Sequence, residues 1–163
     1  MAYRISRNLE TTLLEYIDAQ LTAGGWTGVG VEKTFARIYD IALPSICLRV
    51  QDTDHDPVEI GSDSTVRTVM VLIDLFGTSD GNRLDLKDFL ISVLKGGCPY
   101  YEFVTTTSGR NSSVDTRTLN GRIRVLNIDD TPVNFEIEKS DLDNHDRFRH
   151  RIVLTISLGQ IET

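Results

Sequence analysis

Three observations predict an α+β fold: a single compact domain, spanning 1–163, in which a mostly antiparallel β-sheet is flanked by two main α-helices. Two segments repeat apolar residues at helical spacing, Leu9/Leu13/Ile17/Leu21 and Leu86/Phe89/Leu90/Val93/Leu94. The last third alternates apolar and polar residues with the period of a strand. A chain of 163 residues is long enough to bury a real core within one domain.

The first helix is predicted over residues 8–22, with Asn8 as its cap and Gly24-Gly25 as its stop. The stretch 26–45 holds Gly28, Gly30 and Pro44 and reads as a loop, with a short strand near Phe35–Tyr39. A strand follows at Ile46–Gln51, then an acidic turn DTDHDP, then Val58–Gly61 leading into a strand over Thr65–Phe76. That strand is apolar on both faces. Val69, Val71, Ile73 and Leu75 line one; Val66, Met70, Leu72 and Phe76 line the other. Such a strand is covered on both sides. Helices supply one cover, and a second layer or a neighbouring subunit supplies the other, so Val69, Val71 and Ile73 are candidate interface residues.

The second helix is predicted over about Arg83–Lys95, capped by Asp80 or Asn82 and ended by Gly96-Gly97. Leu84 and Ile91 are seven residues apart and fall together opposite its core stripe, which makes them a candidate subunit contact or scattered surface apolars. After a strand at Tyr100–Val104, residues 105–118 (TTTSGRNSSVDTRT) carry one apolar residue and many turn formers. A mobile loop is expected there. Strands then alternate over Leu119–Val125, Val133–Ile137 and Arg147–Leu158. A hairpin register placing Ile137 opposite Phe148 sets Glu136 opposite Arg149 and Phe135 opposite His150, so acid meets base.

The formal net charge is −7, which opposes general binding to nucleic acid. No apolar opening resembles a signal peptide and no apolar run approaches the roughly 18 residues of a membrane span, so synthesis in the cytoplasm and a soluble state are expected. Cys47 and Cys98 are too few for a disulfide framework and read as small buried hydrophobes.

The chemistry-bearing constellations are sparse. Arg147, Arg149 and Arg151, with Arg122 and Arg124 nearby, form a stripe that suits an acidic partner or DNA. The plainer account is cross-strand pairing with Glu136 and Glu138. Asp52, Asp54 and Asp56 have the spacing of a calcium loop, but Pro57 occupies the position that needs a glycine, so no metal is expected. His55, His145 and His150 lack zinc spacing to another His or Cys, and His150 falls on a buried strand face. GxSxG, HExxH, P-loop and GxGxxG patterns are absent. Asp74, alone on the apolar strand, reads as structural or near the strand's end.

The segments LETTLLEYIDAQL, ICLRVQ, VMVLIDLFGTSDGNRLDLKDFLISVLKGG with CPYYEF after it, and VNFEIEKSDLDNHDRFRHRIVLTISL span most of the chain. Their order resembles the tail terminator and tail completion (neck) proteins of long-tailed bacteriophages. The resemblance implies a ring of subunits, usually six, that closes the tail tube and meets the head connector. It also implies a virion location, no enzyme activity and no cofactor. A closed ring repeats a head-to-tail contact between two different patches. A head-side neck or connector-completion protein shares the same logic. A small non-enzymatic binding module is the reading from another class, and a hydrolase would need a constellation that the residues do not present.

Overall fold

The computed structural model describes residues 4–33, 35–108, 112–133, 137–138 and 142–162. Two α-helices lie on one side of a six-stranded sheet. The elements are α1 (Ile5–Ala23), β1 (Gly30–Glu32), a 3₁₀ segment (Phe35–Asp40), β2 (Ser45–Pro57), β3 (Thr65–Phe76), α2 (Asp80–Leu94), β4 (Cys98–Ser108), β5 (Ser112–Pro132) and β6 (Arg149–Glu162). Strand order is β1-β2-β3-β6-β5-β4, antiparallel throughout except for the β1–β2 pair.

Helix α1 begins earlier than expected because Ile5 extends the Leu9/Leu13/Ile17/Leu21 stripe back by one turn. Burying each of these side chains stabilises the fold by about 2 kcal/mol. Asn8 is therefore not a cap; it sits inside the helix and is buried. The helix ends in a Schellman turn. Gly25 takes φ 77°, Trp26 N–H donates to Leu21 O at 2.9 Å, and Gly25 N–H donates to Thr22 O at 3.2 Å. Trp26 then packs against Phe89 of α2, ring centres 5.9 Å apart.

Helix α2 is capped by Ser79, whose Oγ accepts from Asn82 N–H at 3.1 Å, rather than by Asp80 or Asn82. Asn82 Oδ1 in turn accepts from Thr78 N–H at 3.1 Å, so the two side chains cap reciprocally. Leu86, Leu90 and Leu94 enter the core shared by α1 and the sheet.

The sheet curls around α1. On one edge, Thr12 Oγ1 donates to Tyr101 O at 3.1 Å and accepts from Tyr101 N–H at 3.3 Å, while Asn8 Oδ1 accepts from Phe103 N–H at 3.4 Å. Near the other edge, Glu10 Oε2 accepts from Val50 N–H at 3.2 Å. Two polar residues one turn apart, buried beside the apolar stripe of α1, thus satisfy part-buried backbone groups of β4.

Several expectations are corrected. The strand in the 26–45 stretch is Gly30–Glu32, parallel to Ser45–Cys47, whereas Phe35–Asp40 is 3₁₀. Only Ile38 of that segment is buried among its described side chains, so it lacks a strand's alternation. The acidic stretch 52–57 is not a turn: β2 continues through it, pairing Asp54 with Thr68 and Pro57 with Thr65 after a bulge. Proline is tolerated at the end of an edge strand. Residues 105–108 and 112–118 are strand as well, since β-branched threonines suit a ladder as readily as a loop; 109–111 lie outside the described residues. β5 runs unbroken to Pro132, pairing with β4 through Ile123 and with β6 from Arg124 onward. Val133 and Ile137 lie in bends, so the strand expected there does not form at its described ends, and Asn134, Phe135 and Glu136 lie outside the described residues.

Candidate functional site

The candidate interface residues Val69, Val71 and Ile73 are core. Each is at most 1% exposed, in the cluster formed with Leu13, Leu90 and Leu154. The helices of this chain already cover that face, so it offers nothing to a neighbour. Ile91 is half-buried and packed against the same core. Leu84 is 42% exposed and is the remaining part of the predicted patch.

The opposite sheet face holds the distinctive chemistry. Register sets Arg49 beside Leu72, Cys47 beside Asp74 and Asp74 beside Arg151, with Arg149 beside Phe76. Asp74 is completely buried. Its Oδ1 accepts from Arg151 Nε at 2.8 Å, and its Oδ2 accepts from Arg151 Nη2 and Arg149 Nε, each at 3.0 Å, and from Arg149 Nη2. Two guanidiniums therefore fork onto one carboxylate, the geometry that makes a buried charge tolerable. The hydrogen bond to Asp74 raises the Arg151 pKa, against the opposing effect of its burial. Cys47 beside it is pushed up to about 12, first by burial and then by the Asp74 charge, which leaves the thiol inert.

This arrangement corrects the predicted cross-strand pairs. Pro132, not Phe135, stands opposite His150, so Arg149 and Arg151 find their acid on β3 rather than on Glu136 or Glu138. Glu138 is exposed, and Glu136 lies outside the described residues. Arg147 leaves the stripe entirely, its Nε donating to Leu142 O at 3.2 Å within the turn before β6. Arg122 donates to Gly96 O at 2.8 Å on another part of the molecule.

Arg49, Gln51, Leu72, Arg149 and Arg151 line a shallow pocket on this face. At its rim Arg149 Nη1 donates to Asp146 Oδ1 at 3.2 Å, and Asp146 accepts from Tyr39 Oη at 3.2 Å. Burial, then the Asp146 charge, raises the Tyr39 pKa. The 142–148 turn is thereby latched over the 3₁₀ segment, where Ile38, Cys47 and Phe76 form a small second core.

Neither protein-family models nor curated proteins yield a match to this chain.

Two further features complete the surface. The β4–β5 hairpin forms an arm. Its base is held to α1 by Arg117, which donates to Glu15 Oε2 at 3.2 Å and lies 3.9 Å over the Tyr101 ring. Past Phe103 the strands pair with each other to Ser108 and Ser112, about 15 Å farther at strand rise. Val104 on this arm is 49% exposed, and Leu119, opposite Tyr101 at its base, is 62% exposed. The β2–β3 hairpin forms the second feature: residues 54–61 are all exposed, and Ile60 is fully so. Among the described residues, no strand pairs with the outer edge of β2 beyond Cys47.

On the helix side, His150 is buried between Asp130, 2.9 Å from Nε2, and Arg83, 2.6 Å from Nδ1, with Lys87 reaching Asp130 at 3.8 Å. Burial lowers the His150 pKa, and Asp130 opposes that shift. A neutral ring fits both neighbours, donating to Asp130 and accepting from Arg83. Sequence reasoning placed His150 on a buried face but missed these partners and Arg49. The available signal was Asp74 itself, a carboxylate on a strand otherwise apolar from Val69 to Phe76, with arginines alternating on another strand.

Proposed function

We propose that this protein is a structural virion subunit that forms a ring capping a phage tail tube, ending tube growth and joining the tail to the head connector. The observation that carries the reading is the β4–β5 arm, which leaves Val104 exposed, with Leu119 exposed at its base, although the helices and sheet of the same chain enclose a core of their own. An arm of this kind stabilises little in an isolated domain and gains its value when another chain packs on it. The uncovered sheet face and the open β2 edge add surfaces suited to repeated contact between copies. The work assigned to the protein is geometric, with no catalytic step and no cofactor. Its partners are further copies of itself, the tube protein and the connector, and its location is the virion after synthesis in the host cytoplasm.

The test is the mass of the purified protein in solution with negative-stain images of the same sample, followed by mixing with tail tubes. Rings of roughly six subunits, alone or templated on tube ends, are expected. Failure to bind tube ends, with binding to isolated head connectors instead, would assign the protein to the head side of the neck. Binding to neither would favour a small non-enzymatic binding module. Leu84→Asp tests the exposed patch on α2: the side chain is solvated, so a folded monomer that no longer assembles is expected, and unaltered assembly would remove that patch from the contact.

A further inference from the structure

We infer that the tip of the β2–β3 hairpin, residues 52–63, docks on the arginine-bearing open face of the next copy of this chain. The inference rests on the ring reading and names its contact. Residues 52–63 contain five carboxylates, on Asp52, Asp54, Asp56, Glu59 and Asp63, and no Lys or Arg. The open face presents Arg49, Arg149 and Arg151 around the buried carboxylate of Asp74, with Asp146 at the rim. The two surfaces also match in apolar content. Ile60 is fully exposed and Val58 is 45% exposed on the tip, while Met70 is 37% exposed and Leu72 is half-buried on the face. A fully exposed isoleucine flanked by acids is costly to leave in water and suits a seat between arginines and apolar side chains.

Asp52 borders the face beside Gln51, but the distal part of the tip lies away from it on one molecule. Arg49 and Asp56 are on the same strand, roughly 20 Å from each other at strand rise. The distal tip residues, from Asp56 to Asp63, stand beyond the bulge between Val50 and Thr53 and a strand's length from Arg49, so the face they meet is that of another copy. Tip-to-face contact is heterologous: each subunit uses one patch on each neighbour, and repetition closes a ring or extends a filament. The attraction between exposed charges weakens as salt rises.

The experiment uses the full chain and two variants whose altered side chains are exposed, Arg49→Glu and Ile60→Asp, followed by sedimentation velocity. Each variant alone is expected to lose the higher-mass species formed by the unaltered protein. Mixed together, they are expected to form a 1:1 dimer and nothing larger, because the intact tip of Arg49→Glu meets the intact face of Ile60→Asp and the reciprocal contact is broken. Variants that assemble like the unaltered protein would overturn the contact while leaving the ring reading standing. An unaltered protein that stays monomeric at high concentration, alone and with tail tubes, would overturn both. A third result, in which Arg49→Glu loses binding to duplex DNA in fluorescence anisotropy with self-association unchanged, would assign the face to nucleic acid and overturn the contact.

Discussion

The two faces of β3 differ more than their composition suggests. Val69, Val71, Ile73 and Leu75 alternate with Met70, Leu72, Asp74 and Phe76 on the same twelve-residue strand, and both sets are mostly apolar. The first set is buried under two helices. The second splits along the strand. Phe76 is buried by the 3₁₀ segment, Asp74 is buried under two arginines, Leu72 is half-buried, and Met70 is 37% exposed. One face is thus a closed core of the chain itself. The other grades from a small core, through an ion cluster, to open surface. Apolar character alone did not say which face was finished within the chain.

The largest effect is expected where the open face hides a charge. Asp74→Ala removes the acceptor shared by two half-buried guanidiniums, leaving Arg149 only Asp146, and should cost about 3–5 kcal/mol in urea unfolding. A cost below about 1 kcal/mol would mean that the arginines simply turn to solvent and the cluster is no staple. Next comes a matched pair of truncations on adjacent residues. Ile73→Ala should cost about 3 kcal/mol and Leu72→Ala under about 1 kcal/mol, because only the first opens a cavity in closed packing. Equal costs would erase the contrast between the faces.

A smaller effect tests how α1 closes the sheet. Thr12→Val keeps the side-chain shape but leaves the Tyr101 backbone without its partner, at about 1–2 kcal/mol, with faster hydrogen exchange of the Tyr101 amide. Unchanged exchange would mean that water replaces the hydroxyl.

The smallest effect is pH-dependent and belongs to the helix side. The folded state depresses the His150 pKa below its ordinary 6.5, so the unfolded chain binds the proton more readily. That contribution to stability is complete above the unfolded value and is lost as pH falls from about 6.5 through the folded value. The groups facing the ring are Arg83, Asp130 and Lys87. His150→Gln should therefore flatten the decline in unfolding midpoint between pH 7 and pH 5. A variant with the same slope as the unaltered protein would place the titration elsewhere.

Local pattern made much of the fold legible. Both helices, the Thr65–Phe76 strand and the Phe89-bearing stripe follow from periodicity that tertiary contacts merely complete. Turn chemistry was less reliable. Asp, Ser and Thr favour turns on average, yet DTDHDP and the threonine-rich 105–118 stretch mostly form strand, because each had a neighbouring strand to pair with. Of the candidate site, the arginines on β6 were visible as a stripe, but their partner was not. Opposite charges on one hairpin looked sufficient, and the register places Asp74, from a strand more than seventy residues earlier, between them.

The sequence by itself determined the class of fold, the helical stripes, the burial of Cys47 and Cys98 and the charge imbalance of the 52–63 segment. These are properties of residues and their nearest neighbours in the chain. Only the tertiary structure decided that Val69, Val71 and Ile73 are core, that Asp74 joins Arg149 to Arg151, and that Asn8 and Thr12 serve the edge of β4. The physical reason is that strand order and register are non-local. A strand's apolar face specifies that it must be covered, whereas the cover depends on which distant segment the sheet brings beside it.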